Sequence, residues 1–232
     1  VDGRPSAFAR GVFVANLIAQ MGIVVTGAIV RVTSSGLGCP TWPRCTAGSF
    51  VPVDGQPEQW HKYVEFGNRS LTFILGVLAL TSIAVAFMDR RHRSRTGQPP
   101  RKRIFWLALV PILGTVAQAV LGGITVLTGL NPFVVAAHFL LSLVLIALLT
   151  NLVVASREQA DQPITLRTNE YIRKGVWLLS FLMASVLVLG TLVTASGPHA
   201  GDAHVQRTGW DPQLVSWIHA DLVLLCIGLT VG

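Results

Sequence analysis

Six apolar stretches run along the chain, at Phe8–Val30, Val64–Met88, Ile104–Leu127, Phe133–Ala155, Gly175–Ala195 and Gln213–Gly232. Each is close to the roughly 20 residues a helix needs to cross a hydrocarbon core. None alternates apolar and polar positions as a barrel strand does, and several are rich in Leu and Ala. The pattern therefore predicts an all-α integral membrane protein. The sixth stretch reaches Gly232 with no polar flank, and the first residue is Val1 rather than Met. A helix that stops in mid-membrane leaves its last carbonyls without partners, so the pattern predicts a chain whose C-terminal part is missing.

Composition agrees with lipid as the main solvent. Of 232 residues, 51% are hydrophobic and 12% charged, about half the charge of a soluble domain. Disordered, collagen-like and disulfide-scaffold classes are excluded by the same figures. The net charge of +7 suggests nucleic acid only until its placement is read. Arg4 and Arg10, seven basic residues in Arg90–Arg103, and Arg157, Arg167, Arg173 and Lys174 share one side if the spans alternate. Arg31, Arg44, Lys62, Arg69 and Arg207 fall on the other. The positive-inside rule then puts the N-terminus in the cytoplasm of a multi-pass protein of the cell membrane, and no nucleic-acid partner is expected. The Arg90–Arg103 run is read as a topology determinant, with anionic lipid or a partner as the alternative.

The loop 31–63 is then outside, and it carries Cys39 and Cys45 with five residues between them. An exported compartment permits a disulfide. Closing so short a ring contributes about 2 kcal/mol in the chain-entropy model, less because Pro40 and Pro43 already stiffen it. A zinc site lacks two further ligands at suitable spacing. Cys226 lies within an apolar span and reads as a small core residue.

The end of span one, Gly27 to Gly36, resembles the end of span five, Gly190 to Gly197, once two residues are removed from the first. Both are followed by an outside loop and a span with a polar group near its outer end, Asn68 in span two and His219 in span six. A duplicated four-helix bundle follows: residues 1–155 as the first half, 156–174 as a cytoplasmic linker, and 175–232 as the opening of a second half, giving six of eight expected helices. Two histidines lie inside spans, His138 in span four and His219 in span six. Either alone is as readily a hydrogen-bonded structural residue as a ligand; two at matching depth in related units point to a shared cofactor role, and imidazole is a good haem-iron ligand. His92, His199 and His204 lie in loops and read as solvated.

Span two opens with His61, Lys62, Glu65, Asn68, Arg69 and Thr72, whose spacing gathers Glu65, Asn68, Arg69 and Thr72 on one helix face. One reading is an interfacial Glu65–Arg69 pair, with Lys62 and Trp60 anchoring the helix at the headgroups. The other is a carboxylate lining an outward-facing pocket, able to move protons or stabilise a cation. Small residues at Gly22, Thr26 and Gly27 in span one and at Gly114, Ala117, Gly122 and Gly123 in span three allow close helix packing or room for a flat ligand.

Taken in order, the residues Gly27–Gly36 with Arg31 to Pro40, Trp42-Pro43-Arg44-Cys45, Glu65-Phe66-Gly67-Asn68-Arg69, Gln118 to Gly123 and Ala137-His138-Phe139 resemble the haem A synthase family, the CtaA-type cytochrome oxidase assembly enzymes. The resemblance implies eight spans in two four-helix halves, one holding a haem b and the other the substrate haem O, whose methyl group is oxidised to the formyl group of haem A. The implied chemistry is stepwise hydroxylation to an alcohol and then a hydrate that loses water. It implies that His138 holds the substrate iron, that His219 ligates haem b, that Glu65 is the span-two carboxylate, and that Cys39 and Cys45 are the outside pair. Many members carry His at the position of Asn68. Asn is a poor iron ligand, so Asn68 reads as a hydrogen-bonding group in the haem pocket, with His61 the shallower alternative. The second-half loop Pro198–Trp210 has no cysteine pair. Haem O synthase and an electron-transfer partner are the expected protein partners, beside haem O and the bilayer. Two other function classes compete: a non-catalytic b-type electron carrier using the same histidines, and a repeat-built transporter with Glu65 as its coupling site. The transporter reading ranks last, because the spans lack broken helices and midplane ion ligands.

Overall fold

Each apolar stretch forms one helix in the computed structural model, which describes residues 3–161, 168–198, 200–202 and 204–231. The helices are α1 (Ala7–Val32), α2 (His61–Arg95), α3 (Lys102–Leu127), α4 (Pro132–Arg157), α5 (Glu170–Ser196) and α6 (Pro212–Val231). All six are long and apolar enough to cross a membrane, and the protein is a multi-pass helical membrane protein. Arg167, His199 and Gly232, used in the charge, loop and span readings, lie outside the described residues.

Most helix ends outrun the apolar stretches, α2 by two further turns to Arg95. Hydropathy marks where lipid begins, whereas caps and loops mark where the helix stops. Ser6 Oγ accepts from Ala9 N–H at 3.1 Å, and Asn169 Oδ1 accepts from Tyr171 N–H at 3.0 Å. His92, read above as a loop residue, lies in the last turn of α2, because the helix runs past the apolar stretch. The helices that carry His138 and His219, α4 and α6, share one start. Asn131 and Asp211 each accept the backbone N–H two residues on, at 3.1 and 3.0 Å, and each precedes a proline, the residue best suited to a first helical position. His138 and His219 then fall about two turns into their helices.

Helices α1 to α4 form an antiparallel ring in which each packs on the next and α4 closes on α1; α5 and α6 form a hairpin that meets the ring through α4. The connections alternate between a basic end, with the chain start and the α2–α3 and α4–α5 links, and a loop end, with the cysteine loop. The ring's packed core lies toward the basic end: Phe13 of α1, Val85 and Ala86 of α2, Ile104 and Ala108 of α3, and Leu149 and Leu152 of α4 are all buried. Between this floor and the loop end the interior turns polar. Asn16 Nδ2 donates to Ser82 Oγ at 3.0 Å and Gln20 Nε2 to Thr115 Oγ1 at 3.3 Å, bonds that join helices without help from the hydrophobic effect.

Two arginines of the basic run make buried contacts of their own. Arg101 is buried; its Nε donates to Asp161 Oδ1 at 2.7 Å, and its Nη atoms donate to the carbonyls of Ala155 and Glu158, each at 2.8 Å. It thereby adds a second donor to Ala155 O, which also accepts Glu158 N–H at 3.2 Å, and supplies one to Glu158 O just past the end of α4. Arg93, also buried, donates to Asp89 Oδ2 at 2.8 Å and to Gly3 O at 2.6 Å.

Candidate functional site

The cysteine loop is a closed ring with a buried staple. Cys39 and Cys45 are disulfide-bonded and fully buried. Glu65, 5% exposed, lies beneath the ring. Its Oε2 accepts from Cys39 N–H at 2.6 Å, and its Oε1 accepts from Arg69 Nε at 3.0 Å and from Arg69 Nη2. Arg69 continues into the ring, donating to Cys39 O at 2.6 Å and Thr41 O at 2.9 Å. Both Glu65 oxygens are therefore engaged. The Glu65–Arg69 pair expected from the three-and-four spacing is present, and its surroundings are the loop rather than lipid headgroups. Lys62 departs from expectation: it is 5% exposed, and its Nζ donates to Val53 O under the loop. A backbone carbonyl within reach of the ammonium replaces the headgroup contact. His61 is likewise absorbed by the loop, with Nδ1 2.9 Å from Ser35 Oγ and its ring stacked on Trp60.

From this ring Trp42 reaches down onto α3. A side chain at Gly123 would overlap the Trp42 indole, and at the preceding residue, Gly122, a Cβ would lie 3.2 Å from His138 Cε1. The two glycines thus form a platform on which the loop's indole and the α4 imidazole both rest. Gln118, one turn below, donates from Nε2 to His138 O at 3.1 Å and to Ser142 Oγ at 2.8 Å, tying α3 to α4 beside the histidine. His138 Nδ1 is buried with no hydrogen-bond partner.

The hairpin repeats this arrangement. A Cβ at Gly190 of α5 would lie 3.2 Å from His219 Cε1 of α6, and His219 Nδ1 is also buried without a partner. A polar ring in an apolar bundle normally has its nitrogens satisfied. Two imidazoles with orphaned nitrogens, each with Cε1 against a glycine, fit residues that would hold the iron of a haem. Among the described residues no three His, Cys, Asp or Glu side chains gather as a metal-ion site. Asn68 turns toward α1: its Oδ1 accepts from Thr26 Oγ1 at 2.6 Å.

Sequence reasoning picked out the histidines, Glu65, Asn68 and the cysteines. It missed Trp42, Thr26 and Gly190 as their partners. Gly122 carried a signal, a small residue allowing a flat ligand, but no feature of the chain paired it with His138.

A family model described as COX15-CtaA, cytochrome oxidase assembly protein, matches residues 10–206. Proteins named heme A synthase from Geobacillus thermodenitrificans and from Geobacillus kaustophilus (strain HTA426) are 29% and 32% identical over 143 and 138 residues, covering 62% and 60% of this chain and 41% and 38% of their own. A third protein of that name, from Shouchella clausii (strain KSM-K16), is 31% identical over 134 residues, 56% of this chain and 40% of its own. The chain spans about two-fifths of the length of the curated relatives it matches. No solved structure matches.

Proposed function

The chain belongs to the COX15-CtaA family of cytochrome oxidase assembly proteins, and from that premise we propose that it is a membrane oxidoreductase of haem A synthesis, oxidising a methyl group of haem O to a formyl group for terminal oxidase assembly. The observation that carries this reading is the pair of imidazoles, His138 and His219, each against a glycine and each with a buried, unpartnered nitrogen. His138 would hold the iron of the substrate, haem O, and His219 that of a resident haem b. When bound, the haem b supplies the electron-transfer chemistry that no side chain here can provide.

This chain's own residues do the positioning. The disulfide ring, pinned by Glu65 and Arg69, holds Trp42 over the loop side of the platform and sheds water from the His138 site. Cys39 N–H and Arg69 engage both Glu65 oxygens and hold the side chain against the ring. Asn68, with Oδ1 held by Thr26, would offer its N–H atoms to the pocket as hydrogen-bond donors rather than ligate iron. The proposed setting is the cytoplasmic membrane, with the N-terminus and basic end inside and the cysteine ring outside. Haem O synthase would deliver substrate, and an electron-transfer partner would take the electrons released.

The test is the haem profile extracted from full-length variants in cells supplied with haem O. His138→Ala should abolish haem A while haem b is retained; His219→Ala should lose the low-spin haem b. Asn68→Ala should lower turnover modestly with haem content intact, and Glu65→Ala should stall oxidation with substrate still bound. Normal haem A production by His138→Ala overturns the site assignment. A wild-type protein that holds haem b yet never makes haem A overturns the enzyme reading in favour of an electron carrier.

A further inference from the structure

Arg31 takes no part in the arrangement described above. It lies in the last turn of α1, at the loop end, yet its Nη1 donates across to Thr194 Oγ1 of α5 at 2.8 Å. Thr194 donates in turn to Gly190 O, also at 2.8 Å, and Gly190 is the glycine against which the His219 ring lies. A chain of two hydrogen bonds therefore runs from a guanidinium of the ring to the histidine platform of the hairpin.

With Nη1 held by Thr194, the other edge of the guanidinium has no partner among the described residues. Arg31 Nε is buried and has no acceptor, and no salt bridge joins Arg31 to an Asp or Glu among the described residues. An unmet guanidinium N–H is among the costlier groups to bury. The Nε–Nη2 edge is the fork that matches a carboxylate in two parallel hydrogen bonds. Thr194 stands one helical turn after Gly190 in α5, so the bond that holds Arg31 ties it to the helix on which the His219 ring rests.

We propose that Arg31 binds a carboxylate of the haem ligated by His219, so that the first half of the protein supplies the anion anchor for the second half's cofactor. This rests on the reading of His219 given under Proposed function. It makes Arg31 a binding residue that selects porphyrins with free acid side chains, and the Arg31–Thr194 bond the device that aims it.

The experiment titrates full-length apoprotein, in a His138→Ala background that leaves one proposed site, with haem b and with its dimethyl ester. The unaltered site should favour the free acid by roughly 10-fold, the scale of one charge-assisted pair. Arg31→Met should bring that ratio near unity by weakening only the free acid. Arg31→Lys, a point charge without the fork, should fall between. Thr194→Val, which leaves the charge but frees its aim, should also lower the ratio. An unchanged ratio in Arg31→Met and Thr194→Val, with His219→Ala still losing the haem, overturns this proposal alone. Haem bound by His219→Ala with an unaltered spectrum overturns the His219 reading and this proposal with it.

Discussion

At Gly122 a single hydrogen atom sets the position of an imidazole. A methyl there would stand 3.2 Å from His138 Cε1, closer than a carbon contact comfortably allows, and the same holds at Gly190 for His219. By contrast, a Cβ at Gly22 meets nothing within 4 Å. Small-to-large changes in packed sites cost about 1–3 kcal/mol, and here the ring would turn away from its platform. Gly122→Val should therefore cut haem bound in the first half by roughly 10-fold, whereas Gly22→Val should leave pigment content unchanged. Quantifying extracted haem per protein for both variants checks this, and equal loss in the two would mean that the glycine cradle is ordinary helix packing.

The end of α4 is an element held by one side chain. Arg101 binds the Ala155 and Glu158 carbonyls and Asp161 at once. Arg101→Met should destabilise the protein by on the order of 2 kcal/mol or more, seen as a lower unfolding temperature in detergent, while Arg91→Met, at an exposed position of the same basic run, should change little. Asp161 adds a pH dependence. Burial acts to raise its pKa, but hydrogen bonds from the Arg101 side chain and Arg103 N–H, with both positive charges nearby, outweigh it and hold the carboxyl below its ordinary value. A depressed folded pKa means a contribution fully present above the unfolded carboxyl's pKa and lost as pH falls through the folded one. The stability gap between wild type and Asp161→Asn should therefore be constant from neutral pH down to the ordinary carboxylate range and close below it. A gap that widens on acidification would contradict this linkage.

For the whole molecule, the alternation of six helices puts the cysteine ring and the basic run on opposite faces. Cys39 and Cys45 are paired and Cys226 is buried, so reporter cysteines can be placed without interference from native thiols. In intact cells an impermeant thiol reagent should label Val51→Cys in the loop and miss Arg95→Cys until the membrane is opened. Labelling in the reverse order would invert the proposed orientation. The ring and the hairpin meet at the loop end through Arg31–Thr194 and through Gly36 N–H, which donates to Gly201 O at 2.9 Å. The two halves are therefore joined at the loop end, the Arg31–Thr194 bond lying one helical turn from the Gly190 platform, with the packed apolar floor at the opposite end.

Span number, alternation and charge asymmetry were legible in the chain because each is a local property. A helix in lipid must satisfy its own backbone, so about 20 apolar residues announce it whatever surrounds them. The histidines, the cysteine pair and the Glu65–Arg69 spacing could be read for the same reason, since a polar group within an apolar run is conspicuous on its own. Rotational phase was not legible. In water a helix shows its buried face by contrast with its polar one, but here lipid-facing and protein-facing positions are both apolar and the contrast disappears. Only the tertiary structure could decide that Lys62 turns under the loop, that Trp42 rests on Gly123, that Gly122 and Gly190 lie beneath imidazoles, and that Arg31 crosses to Thr194. Each of these joins residues far apart in sequence through close packing, and close packing is a property of two surfaces that neither segment carries alone.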